Sequence, residues 1–137
     1  MKKTILLLGM IFGIYVLIGY KFSEIEIPNE ALRIRILANS NSEYDQKIKN
    51  NVKVEIQDYV YDLLKDTTSI EEARKIINSK LNNISNLTEL SLKKQNYNLP
   101  YSVNFGYNYF PEKIYKGITY DAGYYESLLI TLGSGKG

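Results

Sequence analysis

The sequence predicts a single α+β domain preceded by an apolar N-terminal segment. Residues 32–36 alternate between apolar and basic side chains, residues 43–95 carry apolar side chains at helical spacing, and the chain alternates again after residue 96. This order is typical of α+β domains in which helices cover one face of a sheet. We expect an N-terminal strand, two to three helices and then a three-stranded, mainly antiparallel C-terminal sheet, with the helices packed on one face.

The N-terminal segment has the features of an export signal. Two lysines precede an uncharged run at residues 4–20, which as a helix would span roughly 25 Å against a bilayer core of about 30 Å. The basic start predicts that the N-terminus stays inside and that the rest of the chain is exported. We interpret residues 1–23 as a signal peptide or signal anchor that meets the membrane through residues 4–20, residues 24–30 as a linker, and residues 31–137 as one extracytoplasmic domain.

The first strand carries two arginines on one face. Leu32, Ile34 and Ile36 alternate with Arg33 and Arg35, the period-two pattern of a half-buried strand. Ion pairing at the surface is the ordinary role for such arginines. A functional alternative is presentation to a protein partner, because Arg is enriched among residues that dominate binding energy.

A polar stretch then leads into the helices. It consists of Asn39, Ser40, Asn41 and Ser42. Ser40 with Glu43, or Ser42 with Asp45, has the spacing of a capping box, so either serine could begin the first helix. Such a turn needs no further explanation for its polarity, but it also lies where the strand could present a partner-facing edge.

Apolar spacing assigns the inward faces of the helices. The first helix should end near Lys65, and its inward residues are Ile48, Val52, Ile56, Tyr59, Leu63 and Leu64, with Val54 and Val60 off centre. The second should begin at Thr68 or Ser69, and its inward residues are Ile70, Ala73, Ile77, Leu81 and Ile84. A third should cover about Asn86 to Gln95, with Leu87 and Leu90 inward.

The last third of the chain reads as strands. Val103, Phe105, Tyr107 and Tyr109 share one face of the first, "KIYKGITY" reads as the second, and "YYESLLITL" is apolar on both faces toward its end, as in a central strand. The closing "GSGKG" lacks the hydroxyl residue and the helix that a phosphate-binding loop requires, so we interpret it as a flexible exit.

Composition excludes several classes of function. The chain has no His, Cys or Trp, so Ser-His-Asp and Cys-His nucleophiles and Cys/His zinc sites are excluded. We expect no cofactor, no metal and no small-molecule substrate. The net charge is +2, which Lys2 and Lys3 supply entirely. A neutral body argues against nucleic-acid binding, which needs a clustered positive surface.

One stretch resembles an aspartic protease signature. In "ITYDAG", Asp121 follows apolar residues, but Ala122 stands where a hydroxyl residue normally follows the aspartate. Two aspartates must share a proton in that chemistry, so a homodimer would be required. An Asp before Gly at the end of a strand is more commonly a tight turn.

Eight residues are candidates for binding a partner. They are Arg33, Arg35, Asn39, Ser40 and Asn41 around the end of the first strand, and Tyr107, Tyr109 and Tyr124 in the C-terminal third. A sheet of this size cannot bury all of the tyrosines in that region, because each hydroxyl requires a hydrogen-bonding partner. Core packing and protein recognition are equally open for each tyrosine.

Several segments together resemble the stage II sporulation protein R family of endospore-forming Firmicutes. The most specific is "ALRIRILANSNSEYDQ", and "SIEEARKII", "YSVNFG", "YFPEKIY" and "YDAGYYESLLITLGSGKG" come after it in the expected order. The resemblance extends from about residue 27 to residue 137, and none of these motifs is catalytic.

The resemblance implies a signalling protein rather than an enzyme. Such proteins are made in the forespore and exported into the space between the forespore and mother-cell membranes, where they are secreted or membrane-anchored. There they activate a membrane-embedded aspartic protease of the mother cell, which processes the sigma-E precursor. A homodimeric aspartic protease using Asp121 and a membrane-anchored domain that binds envelope polymer remain the alternatives.

Overall fold

The computed structural model describes the backbone of residues 5–10 and 13–18 and the whole of residues 31–137. Its elements in chain order are β1 (Ile5–Met10), β2 (Gly13–Ile18), β3 (Leu32–Leu37), α1 (Glu43–Leu64), α2 (Ile70–Ser79), α3 (Leu81–Lys94), β4 (Tyr101–Phe110), β5 (Lys113–Tyr115), β6 (Ile118–Tyr120) and β7 (Gly123–Leu132).

The main sheet has the strand order β1-β2-β3-β7-β4. The β3–β7 pair is parallel and the other neighbours are antiparallel. The α+β class, the three helices and the central position of β7 are confirmed. The predominance of antiparallel pairs is as expected, but the sheet is mixed, because the first strand pairs parallel with the last one, and the predicted second C-terminal strand lies outside this sheet.

Chain direction explains the parallel pair. The helices return the chain to the end of the sheet where β3 finished, so that Tyr101 of β4 pairs with Leu132 and Leu37 of β3 pairs with Thr131. Strand β4 therefore runs opposite to β3. Strand β7 turns back from β4 and must run in the same direction as β3.

The predicted second C-terminal strand is instead a hairpin. Lys116 and Gly117 both have positive φ, at 51° and 79°, which is the geometry of the tight turn that joins antiparallel strands. Strands β5 and β6 pair across this turn as a two-stranded sheet of their own. The usual Asn or Asp before Gly is replaced by Lys116, so the turn was missed.

The export segment falls partly outside the described residues. Residues 1–4, 11, 12 and 19–30, which include the predicted linker, are not described. Where the backbone is described, Gly13–Ile18 forms a strand beside β3 and Ile5–Met10 forms a strand beside Gly13–Ile18, so neither is helical. Among the described residues, every helix is too short or too polar to cross a bilayer. The signal or anchor stays a prediction.

Helix α1 begins at the second of the two capping alternatives. The Ser42 hydroxyl accepts a hydrogen bond from the Asp45 amide at 3.0 Å, and the helix ends before Lys65 as predicted. The inward positions Ile48, Val52 and Ile56 are confirmed. Val60, which we placed off centre, is fully buried instead, because side chains four residues apart share a helix face and 48, 52, 56, 60 and 64 form one row.

The boundary between α2 and α3 lies earlier in the chain than predicted. Ser69 caps α2, in which Ala73 and Ile77 are buried. Helix α3 already begins at Leu81, and Leu90, predicted to face inward, is 58% exposed. The buried residues Ile84, Thr88, Ser91 and Leu92 define a face that points away from Leu90.

The core lies between the helices and one face of the sheet. Its fully buried side chains include Leu32, Ile56, Leu64, Ile77, Ile84, Leu128, Ile130 and Leu132. Helix α3 ends in a C-terminal motif in which Asn96, with a φ of 55°, turns the chain and the Tyr97 amide donates to the Leu92 carbonyl at 3.0 Å. Tyr97, which follows this turn, is buried in the core.

Candidate recognition surfaces

The sheet divides the predicted binding residues between its two ends. Tyr109 pairs with Tyr124 at one end of β4 and β7, whereas Leu37, which precedes the polar turn, pairs with Thr131 at the other. Thr131 lies seven positions after Tyr124 along β7, which corresponds to about 23 Å of extended chain. The predicted residues therefore form two sites rather than one.

An aromatic surface occupies the end where β4 finishes. Tyr107, Tyr109 and Tyr124 are 71%, 54% and 72% exposed, and the rings of Tyr109 and Tyr124 meet edge to face with centroids 5.7 Å apart. Ile114, on the β5–β6 hairpin that leaves and re-enters the sheet at this end, is 64% exposed. We call these four side chains the aromatic surface.

The aromatic surface lies on the part of the sheet face that the helices leave uncovered. Tyr101, Val103 and Phe105 occupy the same face of β4 and pack against the core. The helices cover that first half of the face and leave its second half open, so Tyr107 and Tyr109 keep the predicted side but not a buried environment. Clustered exposed aromatic side chains are a feature of protein recognition surfaces.

An ion pair supports this surface from below. Arg74 of α2 donates to both carboxylate oxygens of Glu126, with Nη2 2.8 Å from Oε1. The Glu126 carboxylate raises the pKa of Arg74, chiefly through this hydrogen bond. A cavity of about 170 Å³ lies beside the pair, lined by Ile70, Tyr107 and Tyr124 among others. Planar two-bond pairing fixes the position of Arg74 under the exposed rings.

At the other end of the sheet, the polar turn after β3 (residues 38–40) is hydrogen-bonded to the Gly-rich segment after β7 (residues 133–137). The Asn39 side chain accepts from the Ser134 amide at 2.9 Å, and the Ser134 hydroxyl donates to the Asn39 carbonyl at 2.8 Å. The Gly137 amide donates to the Ala38 carbonyl at 2.9 Å. We call this contact between residues 38–40 and 133–137 the clasp.

Asp45 joins the clasp to α1. Its Oδ2 accepts from the Ser40 hydroxyl at 2.6 Å and from the Asn39 side-chain amide at 3.0 Å. The hydrogen bond from Ser40, followed by that from Asn39, lowers the pKa of Asp45 below its ordinary value. The side chains of Asn39 and Ser40 are therefore committed to internal hydrogen bonds, whereas Asn41 is exposed.

Comparison with known proteins identifies the family. The family model of stage II sporulation protein R matches residues 28–137. The chain belongs to the stage II sporulation protein R family. The matched range contains the aromatic surface and the clasp, and it places the chain among proteins of sporulation.

A curated relative supports the same assignment. The chain is 39% identical over 148 aligned residues to the stage II sporulation protein R of Bacillus subtilis (strain 168). The alignment covers 100% of this chain and 66% of the relative, so the chain spans about two thirds of the relative's length. No solved structure matches the chain.

In this family member, the two arginines of β3 lie on the sheet face opposite the helices, as the alternation predicted. Arg33 is nevertheless buried, and its guanidinium carbon lies 3.5 Å from the centroid of the Tyr125 ring and 5.1 Å from that of Phe110. Arg35 donates to the Tyr109 carbonyl at 3.3 Å. Arg33 thus packs between aromatic rings inside the domain, and its loss would affect stability as well as any contact with a partner.

Asp121 occupies the turn that leads into β7. Its backbone carbonyl accepts a hydrogen bond from the Tyr125 hydroxyl at 2.6 Å, and its side chain is exposed. The contact holds the turn against β7. This arrangement is that of a structural turn.

Sequence reasoning missed the residues that the tertiary fold adds to each end. Ile114 was assigned to an ordinary strand, and Arg74 and Glu126 are 52 positions apart. Opposite charges on an α2 face and in a central strand were the available signal for that pair. No spacing rule connects positions so distant.

Proposed function

We propose that this chain is an exported intercellular signal of endospore formation, either secreted into the space between the forespore and mother-cell membranes or anchored there through residues 4–20. It activates a membrane-embedded aspartic protease of the mother cell, which then processes the sigma-E precursor. The observation that carries this proposal is membership of the stage II sporulation protein R family across residues 28–137. In this proposal the chain is a ligand and not an enzyme.

The chemistry of the domain supports a ligand. The sequence contains neither His nor Cys, so the common nucleophile and base pairs cannot be assembled from it. Asp121 lies in an exposed turn whose backbone is held by Tyr125. Aspartic protease chemistry instead requires two carboxylates that share one proton.

The aromatic surface is the contact we propose for the protease. Tyr107, Tyr109 and Tyr124 present large rings with polar hydroxyls, and Tyr is enriched where binding energy is concentrated. Their exposure shows that the domain does not use them as core. Exposed side chains contribute little to folding, and their removal should therefore affect recognition selectively.

The test is sigma-E precursor processing in cells that make the mother-cell protease and its substrate, with this chain exported beside them. We expect processing to require the chain and to fall at least about tenfold when Tyr107, Tyr109 and Tyr124 are replaced by Ser, the effect of about 1.4 kcal/mol of lost binding energy. The matched control replaces Tyr44 and Tyr61, two exposed tyrosines of α1, by Ser.

The outcomes separate the alternatives. Processing that is unchanged by the aromatic substitutions would exclude this surface as the contact. Loss of processing in Asp121→Asn, with an unchanged melting temperature, would support the homodimeric protease instead. Processing that never depends on the exported chain would exclude the signalling proposal.

A further inference from the structure

Strand β4 forms one edge of the main sheet. Among the described residues, β7 pairs with one side of β4 and no strand pairs with its other side. The strand has ten residues, and its register with β7 runs from Tyr101 to Phe110 without a bulge. An edge of this length leaves a row of backbone N–H and C=O groups available to a further strand.

The sequence of β4 lacks the features by which proteins commonly prevent such pairing. Natural edge strands are shortened, bulged, or supplied with lysine or proline, because each of these obstructs the addition of another strand. Residues 101–110 contain no charged residue and no proline. Ser102 and Asn104, on the face away from the helices, are exposed and uncharged. The composition of this edge therefore favours strand addition.

The available backbone groups belong to alternate residues of β4. The Pro100 carbonyl accepts a hydrogen bond from the Gly133 amide at 2.7 Å, one position before Tyr101 pairs with Leu132. Antiparallel hydrogen bonds recur at every second residue. The even-numbered residues of β4 are therefore directed at β7, and residues 101, 103, 105 and 107 are directed outward.

The far end of this edge already has a hydrogen bond. The carbonyl of Tyr109, which the same alternation directs outward, accepts from the Arg35 side chain at 3.3 Å. This contact occupies the last part of the edge. The stretch that remains for pairing with another strand is residues 101–107, with Asn104 at its centre.

Residues 101–107 are complementary to themselves. In an antiparallel pair of two copies centred on Asn104, Tyr101 lies opposite Tyr107 of the second copy, and Val103 lies opposite Phe105 of the second copy. Aromatic pairs and pairs of an aromatic with a β-branched residue stabilise neighbouring strands. No like charges meet, because this stretch is uncharged. We propose that β4 pairs with β4 of a second copy of this chain about a two-fold axis at Asn104, which forms a closed dimer with one continuous sheet.

The pairing covers side-chain surface as well as backbone groups. Tyr107 is 71% exposed in the single chain. In the dimer its ring lies beside Tyr101 of the second copy, the residue whose hydroxyl is 3.5 Å from that of Ser85 in α3. About eight backbone hydrogen bonds join the two strands, two for each outward residue of one copy. Tyr109 and Tyr124 lie outside the paired stretch, so each copy keeps most of its aromatic surface.

The dimer goes beyond the proposed function, and its test measures association in the absence of the protease. The chain has no cysteine, so single cysteines can report the distance between two copies. In Asn104→Cys the two Cα atoms at the two-fold axis are about 4.5 Å apart, within the range that a disulfide spans. Ser102→Cys is the matched control, because it is exposed on the same face but lies about 13 Å along the strand from its counterpart.

Both cysteine variants of the full chain are oxidised in neutral detergent, with micelles in large excess over protein, and the products are separated on a non-reducing gel. We expect a disulfide-linked dimer from Asn104→Cys and little from Ser102→Cys. Equal linking of the two variants would show random collision, and absence of linking in Asn104→Cys would exclude the two-fold axis at this residue. Either result would overturn the proposal.

A charge at the two-fold axis provides a second test. Asn104→Lys places two lysines opposite each other and should weaken the dimer about fivefold, whereas the neutral Asn104→Gln should leave it nearly unchanged. Sedimentation equilibrium in density-matched detergent measures the dissociation constants. The same dissociation constant for the Lys and Gln variants would contradict the pairing.

Amide hydrogen exchange tests the wild-type chain, so that the proposal can be refuted even if a variant fails to fold. The amides of Val103 and Phe105 are directed outward and should exchange more slowly as the protein concentration rises. The amide of Asn104 is directed at β7, and its exchange should not respond in the same way. Exchange at Val103 and Phe105 that is independent of concentration would exclude the dimer.

Discussion

Replacing Gly133 by Ala should destabilise the domain by opening the clasp. Gly133 has a φ of 57°, and an added Cβ would lie 2.3 Å from Oδ1 and 2.7 Å from Cγ of Asn39. The left-handed backbone costs about 1 kcal/mol for Ala. Displacing Asn39 also breaks its hydrogen bond with the Ser134 amide, at about 1 kcal/mol. The expected loss is about 2 kcal/mol, or a fall in melting temperature of about 10 °C for a domain of this size.

Gly117→Ala is the matched control that measures the cost of a left-handed backbone at an alanine without any side-chain clash. Gly117 has a φ of 79°, but a Cβ there would meet no atom within 4 Å. It should cost only the left-handed strain of about 1 kcal/mol, or about 5 °C. The two variants therefore differ by the contact with Asn39 alone.

Thermal denaturation followed by circular dichroism measures both variants. In an Asn39→Ala background, the cost of Gly133→Ala should fall to that of Gly117→Ala, because the obstructing side chain is gone. Equal costs for Gly133→Ala and Gly117→Ala in the wild-type background would refute the clasp as a stabilising contact.

Two further substitutions test buried polar groups. The Tyr97 hydroxyl is buried and has no hydrogen-bonding partner among the described residues, so Tyr97→Phe should raise the melting temperature by up to about 5 °C; a clear fall would show that the hydroxyl is satisfied. Asp45 has a lowered pKa, and the hydrogen bond from Ser40 is the largest cause. Its ionised form therefore stabilises the fold at pH values above the unfolded-state pKa of about 3.9. This contribution is lost as the pH falls through the folded-state pKa. Asp45→Asn should destabilise the domain at neutral pH and flatten the decline of the urea midpoint between about pH 5 and pH 2; an unchanged slope would contradict the assignment.

Much of the local structure can be predicted from the sequence. Ser42 and Ser69 cap α1 and α2 as their spacing predicts, and β3 alternates as its apolar and basic residues predict. Leu90 and Val60 show the limit of this reasoning, because a single apolar residue near the edge of a helical stripe can face either way. Packing against the neighbouring elements decides such positions.

The candidate sites depend more strongly on tertiary structure. The sequence indicated Asn39 and Ser40 as available to a partner, but Ser134, 95 positions away, and Asp45 occupy their hydrogen-bonding groups. Arg33 was expected at the surface and is buried against Tyr125.

The sequence by itself determined the α+β class, the caps of α1 and α2, the central position of β7 and, through its motifs, the family. These features depend on residues within one or two turns or strand repeats of each other, where spacing specifies geometry. Only the tertiary structure decided that β3 pairs parallel with β7 and that the predicted site divides between two ends of the sheet. These features depend on strand direction and on contacts between distant residues, which local spacing does not encode.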